Sequence, residues 1–120
     1  GGRKFEVVLI PGHTPGSIAL LDRESRILVA GDSVSYTPVF MFTDVRSIYA
    51  HMASMEKLLK MKSSFDVIYS AHGDMEVAPS QISKLLEAGK KLAAGEITPM
   101  DPPFPLPAKM YVHDGAAFFY

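Results

Sequence analysis

The 120 residues contain no cysteine. That excludes disulfide bridges and thiolate-bound metal ions. It is compatible with the cytoplasm, the location expected here. Charge of one sign is also missing: 12 basic against 13 acidic side chains leave a net charge of −1. There is therefore no electrostatic case for nucleic acid or an anionic membrane as partner. Lysines 57, 60, 62, 84, 90 and 91 are spaced like the solvated faces of helices. No apolar run approaches the roughly 20 residues needed to span a bilayer. No signal-peptide pattern and no internal repeat is visible, and the C-terminal tail has no basic cluster. The chain opens Gly1-Gly2 without methionine, as expected of a processed or cut chain, or of one that keeps a tag remnant.

What is present suits a soluble globular domain: 48% of the residues are hydrophobic and 21% charged. "KFEVVLI" is a β-branched apolar run stopped by Pro11-Gly12, which predicts a buried strand. "SIALLD" and "RILVAGD", joined by a short polar link, predict a hairpin. "SYTPVFMF" reads as a proline-broken aromatic loop. From Asp44 to about Lys62, Val45, Ile48, Tyr49, Met52, Met55, Leu58 and Leu59 recur at helical spacing, with Thr43 or Asp44 as the expected cap. His51 is expected on the surface of that helix. "FDVIYSAHGD" is a strand running into a loop. Pro79 to Gly95 predicts a second helix, with Ile82, Leu85, Leu86 and Leu92 on one face. "TPMDPPFPLP" can be neither helix nor central strand. "KMYVHDGAAFFY" predicts a closing hairpin about Asp114-Gly115, with His113 in its turn. Strands and helices alternate after the first hairpin, so the class is α/β.

Three polar residues each follow an apolar strand and stand beside glycine: His13 in "PGHTPG", Asp32 in "VAGDS" and His72 in "SAHGD". Strand-end loops next to glycine can project a side chain into a cleft from a rigid base. Imidazole and carboxylate are the ligands of choice for zinc or iron where thiolate is absent. Taken one at a time, each is better explained as an ordinary turn or loop residue. Their occurrence at three strand ends favours a site. Thr14 and Ser17 suit either shaping of the His13 loop or plain turns.

"GHTPGS", then "AGD", then "AHGD" after a strand resembles the later metal motifs of the metallo-β-lactamase-fold hydrolases, which include hydroxyacylglutathione hydrolases and acylhomoserine lactonases. The likeness runs from about Phe5 to Gly95. It departs from the family in Ala71, where Gly-His-Gly is commoner. The resemblance implies an αββα sandwich of which this chain would be the C-terminal half: a mostly antiparallel sheet with two main helices. Residues 1–98 would be the second half of the hydrolase domain, and residues 99–120 a proline-rich arm and closing hairpin of the same domain. It also implies that His13 and His72 each hold one of two zinc (or iron or manganese) ions, with Asp32 bridging both. Asp32 would then orient the hydroxide that attacks an ester, thioester or lactone. Tyr36, Phe40 and Phe42 are candidates to contact that small-molecule substrate, and Phe40 and Phe42 serve equally well to pack on the first helix.

The family's His-x-His-x-Asp-His motif is missing, and neither His51 nor His113 could rebuild it. An open catalytic zinc site takes three protein ligands. Here each metal would keep one histidine and a share of one carboxylate. Metal in this chain alone is therefore expected to be weak or absent, and hydrolysis to belong to the intact parent. The alternative is a non-catalytic half-domain with idle motifs. Under either reading the sheet face of a half-sandwich is uncovered, so a homo-oligomer is expected.

Overall fold

The computed structural model describes residues 1–120. Strand β1 (Glu6–Leu9) pairs antiparallel with β2 (Ile18–Asp22), and β2 pairs antiparallel with β3 (Ile27–Gly31). Val39–Phe40 forms a two-residue strand, β4. Helix α1 (Ile48–Lys60) then carries the chain across to β5 (Val67–Ser70), which lies parallel to β3. The short β6 (Glu76–Val77) closes this five-stranded sheet in the order β1-β2-β3-β5-β6. Helix α2 (Ser80–Ala94) follows. The chain ends in the hairpin β7 (Met110–His113) and β8 (Ala116–Phe119), whose second strand pairs parallel with β4. The positive φ angles of Asp114 and Gly115 give the expected tight hairpin turn. The α/β class, the predominance of antiparallel pairing and the two main helices match the reading of the sequence.

Alternation within the strands divides the sheet into two unlike faces. Leu21, Leu28, Ile68 and Val77 form one row across four strands, and all four are fully buried. They share a core with Met55 and Leu58 of α1 and with Ile82 and Leu85 of α2. The opposite row runs Val7, Leu20, Val29, Tyr69. On that face Val7 is 60% exposed, Leu9 61% and Ile18 43%. The helices thus cover one face and leave an apolar one open.

Five expectations need correction. The strand in "KFEVVLI" is not buried: β1 is an edge strand with only Val8 enclosed, because no layer covers the outer face of the sheet there. The first helix starts at Ile48, not Asp44, and its cap is Ser47, whose hydroxyl accepts from Ala50 N at 3.1 Å. Thr43 has φ 109°, closed to helix and costly for a β-branched residue, so the chain turns there before the helix can begin. The aromatic loop contains β4, because Val39 and Phe40 find open backbone partners on β8. His113 is the last residue of β7, just outside the turn. His51 is not on the helix surface but fully buried. It lies on one stripe with Met55 and Leu58, at the helical steps of four and three.

Candidate metal centre

Strand parity explains how three distant loops meet. β1 and β3 are both antiparallel to β2, and β5 is parallel to β3. All three therefore deliver their C-terminal ends to the same edge of the sheet. His13 follows β1, Asp32 follows β3 and His72 follows β5. A register irregularity between Val29 and Gly31 lets β3 peel away just ahead of Asp32.

The three side chains converge there. His72 Nε2 lies 2.7 Å from Asp32 Oδ1, and His13 Nε2 lies 3.4 Å from Asp32 Oδ2. Asp32 thus presents one oxygen to each imidazole. His13 is largely enclosed, whereas the His72 side chain is 71% exposed. His13 Nδ1 is 3.0 Å from the Phe40 carbonyl, a contact that makes Nδ1 the donor. In the neutral ring Nε2 then carries a lone pair, and it is aimed at a carboxylate oxygen. In that tautomer two acceptors face each other, and a metal ion or the proton of an imidazolium would satisfy both.

Helix α1 holds two of the loops. Ser47 N donates to Gly12 O at 2.9 Å, and Ser54 Oγ donates to Pro11 O at 2.7 Å. Gly12 has φ 145°, and a Cβ there would lie 2.5 Å from the His51 Cα, so the loop can rest on the helix only with glycine. His51 Nε2 donates to Ser33 O at 2.8 Å, which fixes the backbone beside Asp32. Its Nδ1 is buried without a partner, and burial pushes its pKa down from 6.5 to about 4. At the third loop Gly73, with φ 72°, packs where any Cβ would strike Thr37 Cγ2. Ser35, itself hydrogen-bonded to Thr37, points its hydroxyl at His72 O.

The three residues open into a cavity of about 420 Å³. Phe40, Phe104 and Phe119 form much of its apolar wall. Phe119 packs edge-on against both Phe40 and Phe104. Of the proposed substrate contacts, Phe40 lines the cavity. Tyr36 and Phe42 lie outside the lining. The Tyr36 hydroxyl instead accepts from Ala78 N at 3.0 Å, and Phe42 stacks obliquely on Phe40. The proline-rich arm contributes Pro103 and Phe104 to the wall. Nothing in local pattern foretells that contribution, since it depends on where the arm folds back. Arg46, another lining residue, is tied to the site by a bond to His13 O, 33 residues away, which no local pattern reveals.

The residues fit a metal in kind. A tetrahedral ion with bonds of about 2.0–2.1 Å sets adjacent donor atoms about 3.3 Å apart. The His13–Asp32 separation of 3.4 Å meets that spacing. The His72–Asp32 contact is shorter, a hydrogen-bond distance of 2.7 Å. Asp32 Oδ1 is buried, and apart from its approach to His72 Nε2 it has no hydrogen-bond partner. In number the set is incomplete: no three imidazole or carboxylate side chains close around one point.

Residues 1–72 match the metallo-beta-lactamase superfamily. The chain belongs to that superfamily. A curated relative, the acyl-coenzyme A thioesterase MBLAC2 of Gallus gallus, is 33% identical over 61 residues, 51% of this chain and 22% of its own length. Among solved structures, a metallo-beta-lactamase from Pontibacter korlensis superposes with a TM-score of 0.64 at 20% identity, over 75% of this chain and 43% of its own. The protein TTHA1623 in a di-iron-bound form gives a TM-score of 0.58 at 23% identity, over 68% of this chain and 40% of its own. The chain thus spans about a fifth of the curated relative and less than half of these structures. The likenesses establish the fold, and metal binding is a property of the superfamily. No helix is long and apolar enough to cross a membrane.

Proposed function

We propose that this chain supplies one part of a two-metal hydrolase centre acting on an acyl ester, thioester or lactone. The observation that carries the reading is Asp32 set between two imidazoles, one oxygen turned to each. His13 and His72 would each hold one zinc, iron or manganese ion, and Asp32 would bridge the pair. Ions held there would supply Lewis acidity and an activated water. The chain's own residues do the rest. Phe40 O fixes the His13 ring so that Nε2 faces the site. His51 and Ser54 keep the Asp32 and His13 loops at their spacing. The aromatic wall offers an apolar surface to an acyl chain. The thioesterase relative favours the thioester within this class.

Three ligands shared between two metals fall short of the three per metal that an open catalytic site uses. Turnover is therefore assigned to an assembly that adds a His-x-His-x-Asp-His cluster. The test compares this chain alone with the chain joined to a segment bearing that cluster. Metal content and thioester hydrolysis should both rise in the joined protein, and His13→Ala, Asp32→Ala or His72→Ala should abolish both. Tight, chelator-resistant metal and turnover in the chain alone would contradict the assignment.

A second reading is favoured by the open sheet face: a half-domain that pairs with its own copy through Val7, Leu9 and Ile18, its motifs idle. Metal content of the joined protein separates the two.

A further inference from the structure

One charged side chain on the cavity wall has no role in the reading above. Of the four arginines, Arg3 pairs with Asp22, Arg23 with Glu6 and Arg26 with Asp66. Arg46 pairs with no carboxylate, although it lies half-buried on the wall of the cavity that holds His13, Asp32 and His72. Its Nε donates to His13 O at 3.1 Å and its Nη1 to Phe42 O at 3.3 Å. Its guanidinium carbon sits 5.7 Å from the ring centre of Phe40 and 5.5 Å from that of Phe42. A guanidinium carries five N–H donors. Those two bonds leave Nη2 with no protein acceptor.

The contacts hold the group firmly without neutralising it. Carbonyls and aromatic faces are uncharged partners, and Asp32, which shares the cavity, turns its oxygens to the two histidines. The result is a fixed cation with a free donor edge, flanked by an apolar wall. Such an edge matches an oxyanion in the two-pronged manner that lysine cannot reproduce. Partial removal from water strengthens the attraction.

We propose that Arg46 receives an oxyanion, a carboxylate or a phosphate, on the substrate whose apolar portion lies against Phe40 and Phe104. The substrate class is then an anionic acyl compound rather than a neutral ester. Its relevance to a substrate rests on the hydrolase reading, whereas the anion site itself does not need metal.

The test is binding to the metal-free chain, kept in a chelator so that no ion can receive the anion. Hexanoate, hexyl phosphate and neutral hexanamide are titrated against the ¹⁵N-labelled protein. The Arg46 Nε–H resonance and the Phe40 and Phe104 amides report occupancy. Binding of hexanoate or hexyl phosphate about tenfold or more tighter than hexanamide, with a saturable shift at Arg46 Nε–H, is expected for a charge-assisted contact. The tighter of the two anions identifies the source. Arg46→Gln should bring all three ligands to within about twofold, and Arg46→Lys should keep only part of the preference. Equal affinity of anions and amide in the unmodified chain, no binding of any of them, or an undiminished preference in a folded Arg46→Gln protein overturns the proposal. The comparison in the unmodified chain stands even if the variants fail to fold. Because metal is stripped throughout, a failure of the two-metal reading leaves this result untouched.

Discussion

His51 Nε2 donates to Ser33 O over 2.8 Å, and through that bond the first helix grips the loop that carries Asp32. The same helix residue lies under Gly12, one position before His13. A single buried residue therefore supports two of the three loops, one through its ring and the other through its backbone. Its edge-on contact with Phe118 also ties them to the C-terminal hairpin.

Protonating that imidazole should unfasten the fold. Burial lowers the His51 pKa from 6.5 to about 4, so the unfolded chain binds its proton more readily than the native one. Its contribution is then fully present above pH 6.5 and lost as pH falls from 6.5 towards 4. The loss approaches about 3 kcal/mol at the acid end. Urea melts at steps between pH 7 and 4 should show this decline, and His51→Phe should flatten it. An equal decline in His51→Phe would assign the acid sensitivity to other groups.

Gly12→Ala should be severe for so small a change. The added methyl meets the His51 backbone, and alanine is strained at φ 145°. A loss of about 2–4 kcal/mol is expected from overpacking and strain together. Gly16→Ala is the control, because its Cβ would meet nothing within 4 Å. Chemical denaturation of the two variants should separate them, and similar midpoints would argue against the packing described.

The exposed face of the sheet predicts self-association. Light scattering should report a dimer or larger species, and Val7→Lys with Leu9→Lys should dissociate it. A monodisperse monomer at high concentration would count against this.

Much of this molecule is legible in its sequence. Proline and glycine punctuate the strands at Pro11-Gly12 and Asp114-Gly115, and helical spacing marks both helices, because these are local effects. His13, Asp32 and His72 stand out because each ends an apolar run beside glycine. Their convergence at one edge follows once β1, β3 and β5 share a direction. Burial of His51 was also within reach, from its step to Met55 and Leu58. The start of α1 was not, since it depends on the backbone of Thr43. Arg46 and Phe104 were hidden for a different reason: their places on the cavity wall are set by tertiary contacts across the fold.

Hydrolysis by the 120-residue chain alone should not exceed background for esters, thioesters or lactones. Too few ligands are gathered to hold a metal in fixed geometry with an open position. Assays with added zinc, iron or manganese check this directly, and turnover abolished by a chelator would refute it.

Whether His13 and His72 flank Asp32 as metal ligands is decided by zinc titration watched at the histidine ring nitrogens. Long-range ¹H–¹⁵N spectra resolve Nε2 and Nδ1 of each of the four histidines. Weak, saturable shifts are expected at Nε2 of His13 and His72, with His13 Nδ1 still donating to Phe40 O and with His51 and His113 unmoved. Asp32→Asn should reduce both shifts together. Shifts centred on His113, or none at His13 and His72 at any zinc concentration the protein tolerates, would contradict that assignment.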